Sequence, residues 1–151
     1  MSARGLSTMH VMRAIIGVGL AAAVAFGLAA VSVVRAQDQA RAKVLGVWEG
    51  TINFGASART VMEFTADGET IRWKCSYRTT SNILWGDAEG TVTSFSAPNL
   101  EASGVYTKHS VAGTEGTRVK FALALEGDQM KGTAIPEMTN LPAAVSLTRR
   151  K

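Results

Sequence analysis

Few side chains in this sequence are placed to do covalent chemistry. His109, in Tyr106-Thr107-Lys108-His109-Ser110, is the one histidine beyond the N-terminal segment. A Ser-His-Asp site needs a nucleophile beside such a base in space. Ser110 is only its chain neighbour and points the other way on a strand, so a strand histidine is the expectation. Cys75 is the sole cysteine, which rules out an intramolecular disulfide. It reads either as a small apolar core residue or as a reactive thiol, and its apolar neighbours favour the core. One His and one Cys far apart do not make a zinc spacing. No Gly-rich phosphate loop precedes a helix. Asp87 and Glu89 sit on one strand face as a solvated pair. The expectation is a protein that is not an enzyme and that carries no cofactor and no metal.

A row of aromatic and sulfur-bearing residues stands out instead: Met62, Phe64, Trp73, Cys75 and Tyr77. The row is either plain core or the wall of an apolar pocket, because small barrels fill with side chains or hold one small ligand. Trp73 and Tyr77 carry polar tips that a buried site must satisfy. They are therefore the better pocket candidates.

The elements that would position this row are strands. "TIRWKCSYR" alternates strictly, with Ile71, Trp73, Cys75 and Tyr77 on one face and Arg72, Lys74, Ser76 and Arg78 on the other. A helix would scatter these residues around its axis. In "LGVWEGTINF", Gly46, Trp48, Gly50, Ile52 and Phe54 share a face, and "RTVMEFT" does the same with Met62 and Phe64. Ala66-Asp67-Gly68 is a turn. "GDAEGTVTSF", with Gly86 and Gly90 breaking its face, is the next strand, and "PNLEASGVYTKHS" is a turn and a strand. "GTRVKFALALEGD" aligns Val119, Phe121, Leu123 and Leu125; "MKGTAIP" and "AAVSLTR" complete the set. About eight short strands joined mostly by Gly- or Asn-containing turns predict an all-β domain. A chain of this length removes its exposed edges by closing into a small antiparallel up-and-down β-barrel.

Ahead of the strands lies an uncharged run, residues 14–34, preceded by Arg13 and followed by Arg35-Ala36-Gln37. Residues 1–36 read as a signal peptide cleaved before Gln37. The run is also long enough to span a bilayer, so a retained anchor is the alternative. Residues 37–43 form a polar linker or short helical lead-in, and residues 44–151 form the barrel. The domain is expected in the periplasm or outside the cell, touching a membrane only through residues 14–34 if these are kept.

Charge excludes a nucleic-acid partner. Three of the sixteen basic residues (Arg4, Arg13, Arg35) precede Gln37, which leaves thirteen against twelve acidic ones, a formal +1. The Arg149-Arg150-Lys151 tail is the only basic run, whereas nucleic-acid binding asks for a basic face.

Gly46-x-Trp48 on the first strand, Lys131-Gly132-Thr133 late in the chain and the terminal Leu147-Thr148-Arg149 resemble the calycin superfamily. Residues 44–149 look like the lipocalin-like barrels of bacterial exported proteins. The resemblance implies that Trp48 closes one barrel end and that Arg149 lies over its ring, a cation–π contact of about 0.5–2 kcal/mol. Gly46, Trp48 and Arg149 are then structural. It further implies either a carrier of a small apolar or amphipathic ligand or a protein-interaction barrel, such as a periplasmic inhibitor or an accessory domain of a secreted hydrolase. For the second reading, Ile83-Leu84-Trp85 offers a contact patch; its alternative is a buried strand start.

Overall fold

The computed structural model describes residues 35, 37–81 and 84–151. The leader-or-anchor expectation concerns residues 14–34, which lie outside the described residues. Among the described residues no helix is long and apolar enough to cross a membrane.

A helix running to residue 44 leads into eight strands. They are β1 (Gly46–Asn53), β2 (Ser57–Asp67), β3 (Thr70–Arg78), β4 (Leu84–Ser96), β5 (Asn99–His109), β6 (Arg118–Glu126), β7 (Gln129–Pro136) and β8 (Ala143–Arg149). Each pairs antiparallel with the next, and β8 returns to β1 from Trp48↔Arg149 to Asn53↔Ala144, closing the barrel. Closure leaves no sheet edge free to recruit another strand. The expected strand order is therefore the observed one.

The inward positions are the alternating apolar ones. In β3 these are Ile71, Trp73, Cys75 and Tyr77, all buried, while Arg72, Lys74 and Arg78 are exposed. Trp48, Trp73, Phe64 and Phe121 are the largest fully buried side chains. An eight-stranded barrel has an interior only just wide enough for such residues. Room for Trp73 comes from two glycines. Gly90 faces Trp73 across β3 and β4, and Gly104 pairs with Gly90 across β4 and β5. A Cβ at Gly104 would collide with the Trp73 ring and the Glu89 carbonyl. The glycines that interrupt the sequence pattern are thus the floor on which the indole lies.

The strict alternation fails at three places, each a register shift. Tyr77 pairs with Gly86 but Arg78 pairs with Leu84, so Trp85 has no partner on β3. On the other side of β4 the register slips at Thr107 and at Thr93. A bulge re-aims the side chains around it. At Trp85 this matters, since period two alone would put Trp85 on the opposite face from Gly86. Instead the indole packs against the core and meets the Phe54 ring edge-on at 5.5 Å.

Candidate functional site

The two barrel ends differ in what fills them. At the end where β1 begins and β8 finishes, Trp48 is fully buried and its indole N–H donates to the Val44 carbonyl at 2.8 Å. The Arg149 guanidinium stands 4.4 Å from the Trp48 ring centroid. It also donates to the carbonyls of Leu45, at 2.8 Å, and Lys43, and faces the Asp128 carboxylate at 3.6 Å. The last carbonyls of a helix lack intrahelical partners and carry partial negative charge, so a cation there is doubly favoured. Gly46 makes the approach possible: its φ is +116°, a region L-residues rarely adopt, and a Cβ would sit 3.2 Å from the guanidinium. Gly46, Trp48 and Arg149 form one closure.

The opposite end is built from loops and strand ends. Phe54 follows β1, Tyr77 is next to last in β3, Trp85 is second in β4, and Tyr106 and His109 lie in the last four residues of β5. With Val111, Pro136, Met138 and Thr139 they surround a chamber of about 230 Å³. The rings meet at steep angles: Phe54 on Tyr77 at 69°, Phe54 on Trp85 at 83°, Tyr106 on His109 at 81°. Among the described residues no lysine, arginine, aspartate or glutamate lines the chamber. Below it the barrel is filled; Met62, Phe64 and Trp73 lie in the packed core and do not border the chamber.

Of the five residues proposed from sequence as a pocket wall, only Tyr77 lines this chamber. The structure brings it together with Phe54, Trp85, Tyr106 and His109. The Ile83-Leu84-Trp85 patch is divided: Ile83 lies outside the described residues, Leu84 opens β4, and Trp85 is partly buried in the chamber wall. Tyr106 could have been found from inward alternation along β5, as Ala102 and Gly104 precede it on the same face. Trp85 and His109 carry no such signal, because a bulge and a strand end decide where they point.

Polar groups at the chamber floor are unequally satisfied. The Thr60 hydroxyl donates to the Ser76 carbonyl at 3.1 Å and also stands 3.1 Å from the Cys75 sulfur, a contact in which either atom can be the donor. Burial pushes the Cys75 thiol up to about 11, only partly opposed by the Thr60 contact. A thiol this far above neutrality is a poor nucleophile. Tyr77 is 2 % exposed, and its hydroxyl is covered by the Cys75 and Tyr106 side chains, close to them but outside strict hydrogen-bond geometry among the described residues. Burial holds its phenol well above the ordinary range, with the Cys75 and Tyr106 groups adding to the shift. Tyr106 rises to about 12, again chiefly through burial. All three groups are neutral near pH 7. His109 accepts the Val111 N–H on Nδ1 at 3.1 Å, which leaves Nε2 as the protonated nitrogen of the neutral ring.

Asp87 differs from the solvated residue expected: it is partly buried and accepts from the Ser76 hydroxyl at 2.8 Å. Among the described residues no group of three or more His, Cys, Asp or Glu side chains is arranged to hold a metal.

The fold and site define a class, a closed eight-stranded antiparallel barrel with one sealed end and one aromatic-lined end. No protein-family model matches the chain, and neither curated proteins nor solved structures give a significant match.

Proposed function

We propose that the chain is an exported, non-enzymatic barrel of the lipocalin-like kind, and that it binds a small apolar or amphipathic ligand at its open end. The observation that carries this reading is the chamber of about 230 Å³ lying above a fully packed core. A concave, mainly apolar site with few convergent polar groups is the common form of a small-molecule site. Kinship with the calycins is supported by the Trp48–Arg149 closure, where the cation–π contact implied by the sequence resemblance has its expected geometry. Export is supported by the leader-like residues 1–36.

The test is titration with N-phenyl-1-naphthylamine, a neutral apolar fluorophore. Saturable binding should quench Trp85, the one tryptophan at the chamber, and leave the buried Trp48 and Trp73 emission nearly unchanged. Trp85→Ala should weaken binding with folding intact. Absence of saturable binding would remove the carrier reading.

A second reading has its own observation. Val111 and Leu141 are 55 % and 68 % exposed, and both lie on loops at the open end, beside Met138. This apolar rim suits a protein-interaction barrel, such as an inhibitor or an accessory domain of a secreted hydrolase. Val111→Lys with Leu141→Lys would then abolish partner capture while leaving fluorophore binding intact.

A further inference from the structure

We infer that Arg59 and Arg78 form a site on the outer wall of the barrel for a phosphate group, free or as a monoester. The site is separate from the chamber and does not depend on the reading given to the chamber. The outer face of the β2–β3 hairpin supplies the argument. Near its turn the charges are complementary: Glu63 stands directly opposite Lys74, and Asp67 forms an ion pair with Arg72 at 2.6 Å. Opposite charges set across two strands in this way contribute favourably. At the other end of the same face Arg59 stands directly opposite Arg78. Like charges in that position are destabilising. Both side chains are exposed, and no ion pair among the described residues engages either guanidinium.

The two arginines border a groove of about 740 Å³ that also takes in Thr51, Ser76 and Arg150. Thr51 pairs with Arg59 across β1 and β2, so a hydroxyl continues the row Thr51, Arg59, Arg78. Among the described residues Glu49 is the one carboxylate lining the groove, and Arg150 already pairs with it. The charges of Arg59 and Arg78 therefore meet no counter-charge of the protein's own within the groove.

The chemistry of the pair selects the anion. Each guanidinium is a planar fork of donors that matches two oxygens of one anion. Side chains directly opposite on paired strands start about 5 Å apart, close enough for both forks to reach one guest. Two forks ask for more oxygens than a carboxylate has. A phosphate group presents three or four, and its second charge balances the second arginine.

The experiment titrates the full chain with inorganic phosphate and, in parallel, with acetate, at an ionic strength held constant with chloride. Arginine Nε–H signals are followed by NMR. The expected result is saturable shifts of Arg59 and Arg78 with phosphate, and a roughly tenfold weaker affinity for acetate. Arg59→Glu turns the like-charged pair into a complementary one. It should fold with an unchanged or raised Tm and still lose phosphate affinity by roughly tenfold or more. Arg78→Gln should weaken binding to a similar degree, while Arg72→Gln, whose partner is Asp67, should leave it unchanged. Phosphatidylcholine vesicles with and without phosphatidic acid separate the sources. Binding of the acid-containing vesicles alone, lost in Arg59→Glu, assigns a lipid headgroup; saturation by inorganic phosphate without vesicle binding assigns a soluble phosphate. Failure of both phosphate and acid-containing vesicles to bind overturns the inference. So do equal affinities for acetate and phosphate, binding that survives Arg59→Glu, and a loss in Arg72→Gln as large as that in Arg78→Gln.

Discussion

The two ends of this barrel use aromatic residues to opposite effect. At the sealed end, the Trp48 indole is buried, its N–H is bonded to Val44, and its face is covered by Arg149. The indole N–H and the guanidinium both have partners, and the arginine also ties down the Leu45 and Lys43 carbonyls. At the open end, Phe54 meets Tyr77 and Trp85 edge-on and Tyr77 meets Tyr106 at a tilt, and the four rings leave a space between them. The buried Tyr77 hydroxyl lies against Cys75 and Tyr106 without a hydrogen bond of good geometry among the described residues. An end whose indole and guanidinium are both packed and bonded is a structural clasp. An end with room is where an outside molecule adds stability, since any ligand that binds only the folded state shifts the folding equilibrium.

The comparison can be broken most decisively at Trp48. Trp48→Ala should cost about 3–5 kcal/mol, read from chemical denaturation, because it empties a fully buried site. A loss as small as that of Trp85→Ala, which should stay below about 1.5 kcal/mol at its partly exposed wall, would erase the distinction between clasp and chamber. The next effect is alkaline. Cys75 is raised from 9.0 to about 11 in the folded state, so the unfolded chain releases this proton first. Stability is then full below pH 9 and falls as pH rises toward the folded value, by about 2–3 kcal/mol for this one group. Tyr77 and Tyr106 extend the fall further in the same direction. Cys75→Ala should flatten the profile between pH 9 and 11; an unchanged profile would contradict the buried-thiol geometry.

Arg149→Ala should cost less than Trp48→Ala, about 1–2 kcal/mol, since its side chain is one-quarter exposed. The double variant should show coupling of about 0.5–2 kcal/mol, and strict additivity would dissolve the clasp. The smallest effect is Tyr77→Phe. Removing a buried hydroxyl that lacks a hydrogen bond of good geometry should leave the unliganded protein unchanged or stabilise it by up to about 1 kcal/mol. A clear destabilisation would mean that Tyr77 already makes a good hydrogen bond, and the contrast between the ends would lose its sharpest feature.

The fold was legible because it follows a period of two. Ile71, Trp73, Cys75 and Tyr77 alternate with charged or polar residues, and a one-residue slip would turn all four to solvent. Turn residues such as Asp67 and Gly68 mark where strands stop. The clasp was expected only through the resemblance carried by Gly46-x-Trp48 and Leu147-Thr148-Arg149, and the β1–β8 register places Arg149 opposite Trp48. The chamber was not. Trp85 is re-aimed by a bulge that no local residue type announces, and Phe54 and His109 sit where strands end and alternation no longer constrains direction. Met62, Phe64 and Trp73 read the same as Tyr77 along the chain, yet only Tyr77 is near enough to the end of its strand to reach open space.

Sequence alone, then, determined which residues face inward, how many strands there are and which charges stay in water, because those properties depend on neighbours two or four positions away. Tertiary structure decided which inward residues meet a void and which meet another side chain. That depends on how far along the barrel axis each one stands and on what arrives from strands far away in sequence. Trp73 rests on Gly90 and Gly104, and Tyr77, four residues later, looks into the chamber: the alternation is one and the same, and only the packing above it differs.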